Sequence, residues 1–384
     1  MSSFVDIGMM HHPRLGRDSE IPCDFETFSL FVKDSTDVEG IIHATQRLAA
    51  GLKGQRKTCF WMLLPKEWEE CGLTEARGYV VRDAFFSAMR ACEAAGLHSG
   101  FPHPANLYEA IGSKSWMASL SLDPAARLPA AVVVSRESAL SDPLQAAQQA
   151  LIDLELVRCR NPFPVRSGEA AAPSVTNAEG IRRGVVKLGW SWCAVDVVAF
   201  SGVQQLSDRF TELLECTGCT AQTCFVQEWV DFDVEVRLFF FPSAEWAPPQ
   251  RLQPENIQFN SWSECDKDGR PAGFQRLSED ACLAIWAQDR EALESAKRQA
   301  IEVSQHLLAW LYAIDSRPVP MIRLDFMLRH SGPGQARVVF GEFCEMGASV
   351  LGWEDGSVRI WRAVLDYALR SQSDSGPQTS TQIK

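Results

Sequence analysis

The alternation of apolar and polar positions divides the chain into strand-like and helix-like runs separated by breaker-rich segments. Cys59-Phe-Trp-Met-Leu-Leu64, closed by Pro65, is a continuous apolar run that predicts a fully buried strand. Asp83 to Ala95 carries Phe85, Phe86, Met89 and Cys92 at helical spacing and predicts an amphipathic helix ending near Gly96. A helix beginning near Ser113 follows, then a short strand over Ala130 to Val134. A further helix is expected from Asp142 to Arg158, with Leu144, Ala147, Leu151, Leu154 and Leu156 as its apolar members. Pro162 to Gly180 is rich in Pro, Gly, Ser and Asn and reads as a mobile loop.

The second half is dominated by strands. Val185-Val-Lys-Leu188 and Val195 to Phe200 predict a hairpin joined by Gly189-Trp-Ser-Trp-Cys-Ala194. A helix over Ser207 to Leu214 leads to strands at Thr223 to Val230 and Val234 to Phe241. Pro242 to Arg276 reads as irregular, and Ser278 to Ala313 as one long helix with an acidic first turn, Glu279 and Asp280. Two strands, Met321 to Arg329 and Arg337 to Cys344, precede a helix from Val358 to Leu369, and Ser371 to Lys384 reads as a disordered tail. The fold class expected from this order is α/β, with several units in 384 residues.

Composition narrows the functions open to such a chain. A formal charge of −12 disfavours general binding of nucleic-acid backbones by counterion release. The first residues, Met1-Ser-Ser-Phe-Val-Asp6, lack the basic and apolar regions of a signal peptide, and no apolar run is long enough to span a bilayer. The expectation is therefore a cytoplasmic protein without membrane or nucleic-acid partners, its twelve cysteines mostly acting as small buried hydrophobes.

Four groups of residues carry candidate chemistry. In Ile322-Arg-Leu-Asp-Phe-Met-Leu328, strand alternation puts Arg323, Asp325 and Met327 on one face. The turn-rich Ser331-Gly-Pro-Gly334 permits antiparallel pairing that brings Glu342 alongside Asp325. Two close carboxylates repel unless a cation lies between them, and oxygen ligation open to phosphate suits Mg²⁺. The plainer alternative is a solvated face on which Arg323 and Asp325 form a surface ion pair worth at most about 1 kcal/mol. In Glu228-Trp-Val-Asp-Phe-Asp-Val-Glu-Val-Arg237, Glu228 ends one strand while Glu235 and Arg237 share a face of the next, an arrangement that clamps a base and its sugar or is simply an acidic turn. Lys187 interrupts an apolar strand and Lys114 stands at a helix start; each snorkels to water or meets an anion, and together they would form a phosphate clamp.

The order of these groups resembles the ATP-grasp superfamily from about Phe101 to Asp366: a lysine, a lysine in a strand, a Glu-hinge-Glu segment, then an Arg-x-Asp strand followed by a Glu strand. Asn106 to Lys114 and Pro129 to Val134 resemble the start of that family's first lid helix and its following strand. The resemblance implies an ATP-grasp fold in which two α+β lobes clamp the nucleotide, preceded by an α/β domain. The implied boundaries are 1–105 for the first domain, 106–228 for the lid and central lobe, 229–370 for the C-terminal lobe with the metal site, and 371–384 for the tail. It implies that Lys114 and Lys187 contact ATP phosphates, that Gln227, Glu228, Trp229 and Val230 form the hinge along adenine, and that Glu228 approaches the adenine amino group. Glu235 would bind ribose hydroxyls with Arg237 beside it, Arg323 and Lys187 would act on the transferring phosphoryl, and Asp325 and Glu342 would hold Mg²⁺.

Two departures stand out. Glu342-Phe-Cys344 replaces the family's usual Glu-x-Asn, which leaves a second metal ion lost or supported by Glu345. Trp190-Ser-Trp192 replaces a Gly-rich phosphate loop, so that its indoles would shut over a substrate or mark a protein that does not turn over. The implied function is an ATP- and Mg²⁺-dependent, ADP-forming ligase joining a carboxylate to an amine or thiol through an acyl phosphate. A local similarity of Lys187 to Asp196, with Glu228-Trp229 and Glu235 to Arg237, to the ATP-grasp family that chaperones translation-initiation-factor assembly supports an alternative: an ATP-binding assembly factor with a protein client.

Other motifs carry less. Cys216-Thr-Gly-Cys219 lies after a helix and before a strand, the wrong context for a redox motif, and reads as a structural turn. Gly189-Trp-Ser-Trp-Cys193 lacks the final glycine of a nucleophile elbow, and His11-His12 has no metal-ligand spacing.

Overall fold

A computed structural model describes residues 38–51, 58–61, 82–161, 183–190, 196–242, 252–262, 274–317, 319–344 and 353–373. The loop at 162–180 and the tail beyond 373 lie outside these residues, as do the second half of the first predicted strand and the centre of the Trp-rich turn. Among the described residues the chain runs α1 (Val38–Gly51), β1 (Thr58–Phe60), α2 (Arg82–Ala94), β2 (His98–Phe101), α3 (Ala105–Gly112), α4 (Trp116–Leu120), β3 (Ala131–Ser135), α5 (Arg136–Ser141) and α6 (Pro143–Arg160). It continues through β4 (Arg183–Leu188), β5 (Val197–Ser201), α7 (Gly202–Leu214), β6 (Thr223–Glu228), β7 (Val234–Phe240), β8 (Asn256–Trp262) and β9 (Phe274–Leu277). It closes with α8 (Glu279–Ile285), α9 (Arg290–Ile314), β10 (Ile322–Gly332), β11 (Gln335–Cys344) and α10 (Gly356–Ser373).

These strands form three sheets: a parallel pair β1-β2, a four-stranded sheet in the order β3-β6-β4-β5, and a five-stranded sheet in the order β11-β10-β7-β8-β9. Every pairing in the two larger sheets is antiparallel. The protein is thus a mixed helix and sheet fold, its two main sheets combining sequential antiparallel pairs with long-range pairings of β3 with β6, β4 with β6 and β7 with β10.

Each large sheet has one face closed by helices and one turned away from its own core. In the four-stranded sheet Val134, Val186, Leu188, Val198, Phe200, Cys224 and Val226 pack against α5, α6 and α7. In the five-stranded sheet Val236, Leu238, Phe240, Phe259, Leu324, Phe326, Leu328 and Phe343 join the buried side of α9. Helices α3 and α4 add Leu107, Ile111, Trp116 and Met117 to this larger core. The opposite faces carry the polar residues.

Several local expectations are corrected. The segment from Pro242 to Arg276 contains β8 and β9, because Ile257 and Phe259 alternate inward against the core while Asn256, Gln258 and Asn260 occupy the other face. The long helix is broken at Trp286 to Asp289, where Ala287 and Gln288 adopt left-handed backbone and Asp289 caps α9 through the Ala292 N–H. On α6, Leu144 and Leu156 point to solvent, and Ala146 and Ala150 take their place in the core. The helix expected near Ser113 begins at Trp116, and Lys114 precedes it with φ of 53°.

Candidate functional site

The polar face of the five-stranded sheet is arranged in cross-strand columns. Antiparallel register sets Asp325 between Glu342 on β11 and Arg237 on β7, with Gln258 on β8 beyond Arg237. On one side of this column lies Cys344, Arg323, Phe239 and Asn256; on the other lies Val339, Met327, Glu235 and Asn260. Three adjacent columns therefore gather most of the candidate residues on one surface, as the period of two requires.

This surface is not a solvated ion-pair face. Arg323 and Asp325 are 4% and 3% exposed, and the guanidinium donates from Nε and Nη2 to the two carboxylate oxygens, both at 2.7 Å. Arg237 Nε lies 3.6 Å from the same carboxylate and donates at 2.5 Å to Glu235 Oε1, which also accepts from Asn260 at 3.3 Å. The Asp325 carboxylate holds the Arg323 guanidinium charge, with help from Glu342 and Cys344, so that its pKa rises well above the ordinary value although burial opposes it. Arg323 Nη1, Gln258 Nε2 and Asn256 Oδ1 are buried with no hydrogen-bond partner. A native fold leaves few such groups, and a cluster of them marks a place prepared for something else to bind.

The four-stranded sheet contributes the facing groups. Lys187 on β4 donates to Gln227 Oε1 at 2.7 Å, and Gln227 Nε2 is buried without a partner. Burial lowers the Lys187 pKa to about 8; nearby Lys114 lowers it too, while Glu342 raises it. The two lysines thus lie close enough to repel each other, and both the strand-borne lysine and the Asp325 column share Glu342 as a neighbour. At the sheet junction Val230 packs against Met327 and Val339 of the polar face. Glu228 is 3% exposed and bonds Arg158 of α6 at 2.5 Å, while Trp229 lies under the Arg183 guanidinium at 3.7 Å and donates to Asp231 at 3.0 Å.

One sequence expectation resolves differently. Trp190 does not cover the polar face; it is 3% exposed among Phe86, Met89, Ala105 and Tyr108 and ties the end of β4 to α2 and α3. Only glycine allows this docking, since a Cβ on Gly112 would lie 2.8 Å from the Trp190 ring and one on Gly189 2.7 Å from the Ser113 carbonyl oxygen. Cys216 and Cys219 lie in the turn expected from the sequence, closed by the Cys219 N–H donating to the Cys216 carbonyl.

Sequence reading missed Gln258, Asn260 and Asn256, whose signal was the alternation of β8. It also missed Arg158, which is 70 positions from Glu228 and left no local signal. Glu345 lies outside the described residues. Among the described residues no group of three or more His, Cys, Asp and Glu side chains is placed to hold a metal. Asp325 and Glu342 alone offer two hard carboxylates, a set that suits Mg²⁺ when phosphate oxygens and water complete the shell. No described helix is long and apolar enough to cross a membrane.

No protein-family model and no curated protein sequence matches the chain. Solved structures to which it is similar include a D-cycloserine synthetase, at 15% identity over 85% of this chain and 93% of that one, with a TM-score of 0.47. A D-alanine–D-alanine ligase from Bacillus anthracis is similar at 11% identity over 90% and 97%, TM-score 0.47. The ADP complex of an N5-carboxyaminoimidazole ribonucleotide synthetase is similar at 9% identity over 85% and 74%, TM-score 0.43.

Proposed function

We propose that the protein is an ATP-grasp ligase that binds ATP between the two antiparallel sheets and forms ADP as it activates a substrate carboxylate. In this reading residues 106–228 and 229–370 are the two clamping lobes, and the residues before 106 form a preceding domain. The observation that carries it is the buried Arg323–Asp325 pair with an unpartnered guanidinium nitrogen and Glu342 across the strand from Asp325, with Lys114 and Glu342 both acting electrostatically on Lys187 of the other sheet. Two ammonium groups facing two carboxylates and a buried guanidinium suit a polyanion with a divalent counterion.

Within that reading Lys114 and Lys187 bind phosphate oxygens, and Lys187 is held for the task by Gln227. Val230 and Met327 provide the apolar wall for the base at the hinge formed with Gln227, Glu228 and Trp229. Glu235, oriented by Arg237 and Asn260, accepts from the ribose hydroxyls. Arg323, fixed by its paired bonds to Asp325, presents the unpartnered Nη1 to the phosphoryl group during transfer. Asp325 and Glu342 would hold Mg²⁺, which when bound neutralises charge on the phosphates. The acyl phosphate so formed would be attacked by an amine or thiol.

Calorimetry of ATP with and without Mg²⁺, on wild type and on Asp325→Ala, tests the site: binding is expected to need the metal and to be lost in the variant. Metal-independent binding untouched by the substitution would defeat it. ADP release that requires both a carboxylate and a nucleophile identifies the ligase.

A further inference from the structure

The polar face includes a further buried side chain on β8, next to Asn260, that has been given no role. Gln258 on β8 is 2% exposed, its cross-strand partner is Arg237, and Arg237 stands in register with Asp325. Its Nε2 is buried and has no acceptor. Arg323 Nη1, on the same face one column away, is likewise a buried donor with no acceptor. Asn260, two residues along β8 and one column over, has its donor satisfied by Glu235, so the unpartnered groups, with Asn256 Oδ1 as the one acceptor among them, lie in the columns of Asp325 and Arg323. Two unsatisfied donors beside a guanidinium call for oxygen atoms carrying negative charge.

We propose that Gln258 is a further ligand-binding residue, its Nε2 donating to an oxygen of the polyphosphate chain that Arg323 also meets. This rests on the nucleotide reading for the identity of the polyphosphate, while the donor geometry requires only an anionic oxygen. A neutral amide here adds a directed bond without adding charge next to Arg237 and Arg323. It thereby leaves the balance against Asp325 and Glu342 intact.

Binding of inorganic tripolyphosphate and of ATP, each with Mg²⁺, is measured by calorimetry on wild type, Gln258→Leu and Gln258→Glu, alongside thermal unfolding without ligand. Gln258→Leu is expected to weaken both ligands about tenfold and to raise the unfolding temperature, since it removes a buried donor that ligand-free protein cannot satisfy. Gln258→Glu, which replaces the donor with an acceptor, is expected to weaken them further. Equal tripolyphosphate affinity in wild type and Gln258→Leu overturns the assignment whatever ATP does, as does a lowered unfolding temperature with unchanged affinity. Wild type that binds tripolyphosphate as tightly as ATP, with Gln258→Leu weakening both, upholds Gln258 and defeats the nucleotide reading. Failure of wild type to bind either probe defeats both.

Discussion

Replacing Asp325 by Asn removes one charge from a pair that the fold has enclosed. The carboxylate accepts two bonds of 2.7 Å from Arg323, and both side chains are nearly inaccessible. Breaking a buried pair from one side leaves the other charge uncompensated and costs about 3–5 kcal/mol. Two charge-assisted bonds at about 1.5–3 kcal/mol each give about 3–6 kcal/mol, an overlapping range. Arg237, 3.6 Å from the carboxylate and bonded to Glu235, loses part of its compensation as well, which places the expected cost toward the upper end. Guanidinium denaturation followed by far-UV circular dichroism on the intact chain reads the difference. The double variant Arg323→Met with Asp325→Leu is expected to recover most of the loss, because an apolar pair needs no mutual neutralisation. A cost below about 1 kcal/mol for Asp325→Asn, the value of an exposed pair, would refute the enclosure on which this estimate depends.

Lys187, with its pKa lowered to about 8 from 10.5, sheds a proton on folding between those values. The unfolded chain binds more protons there, so stability is expected to rise as pH climbs from 8 to 10.5, and Lys187→Met should flatten that rise in pH-dependent thermal melts. Asp289, drawn down to about 2 chiefly by its bond to His330, contributes stability that is present above the ordinary carboxylate range and lost as pH falls toward 2. Asp289→Ala should make acid unfolding shallower in that window. Gly189→Ala forces a Cβ to 2.7 Å from the Ser113 carbonyl oxygen and is expected to cost about 1–3 kcal/mol, with a shift in Trp190 fluorescence as the contact opens. Trp190→Ala should cost about 3–5 kcal/mol in the same denaturation assay.

How much of this could be read from the chain depended on how local each signal was. The pairing of Asp325 with Glu342 was legible because a short Gly-rich turn joins two strands of clear alternation. The adjacency of Glu235 and Arg237 follows from spacing alone. Strand β8 was misread because the Pro and Asn around it suggest a loop, although its apolar positions alternate correctly; the polar ones face the site and so imitate irregular sequence. The burial of Trp190 depends on α2 and α3, about 80 to 100 positions earlier, and the Arg158 bond to Glu228 crosses 70. Neither leaves a trace in nearby residues. The same is true of the break between α8 and α9, where apolar spacing continues through a turn set by left-handed backbone at Ala287 and Gln288.

The pairing of β10 with β11 shifts by one residue between Asp325 and Phe326: Phe326 faces Phe340 while Asp325 faces Glu342, leaving Gly341 as the supernumerary position. Without that shift, uniform pairing from the turn outward would set Gly341 against Asp325 and Glu342 against Leu324, turning Glu342 into the apolar interior. Phe343 would then stand opposite Arg323. A one-residue shift in pairing thus decides which side of the sheet receives an acid, and at the shifted position the Gly341 backbone approaches Asp325 so closely that an added Cβ would lie 3.2 Å from the carbonyl oxygen. The chemistry of this surface hangs on a counting offset: straightening the bulge would abolish it without altering any ionisable group, whereas deleting Gly341 would leave Glu342 opposite Asp325 in a regular ladder.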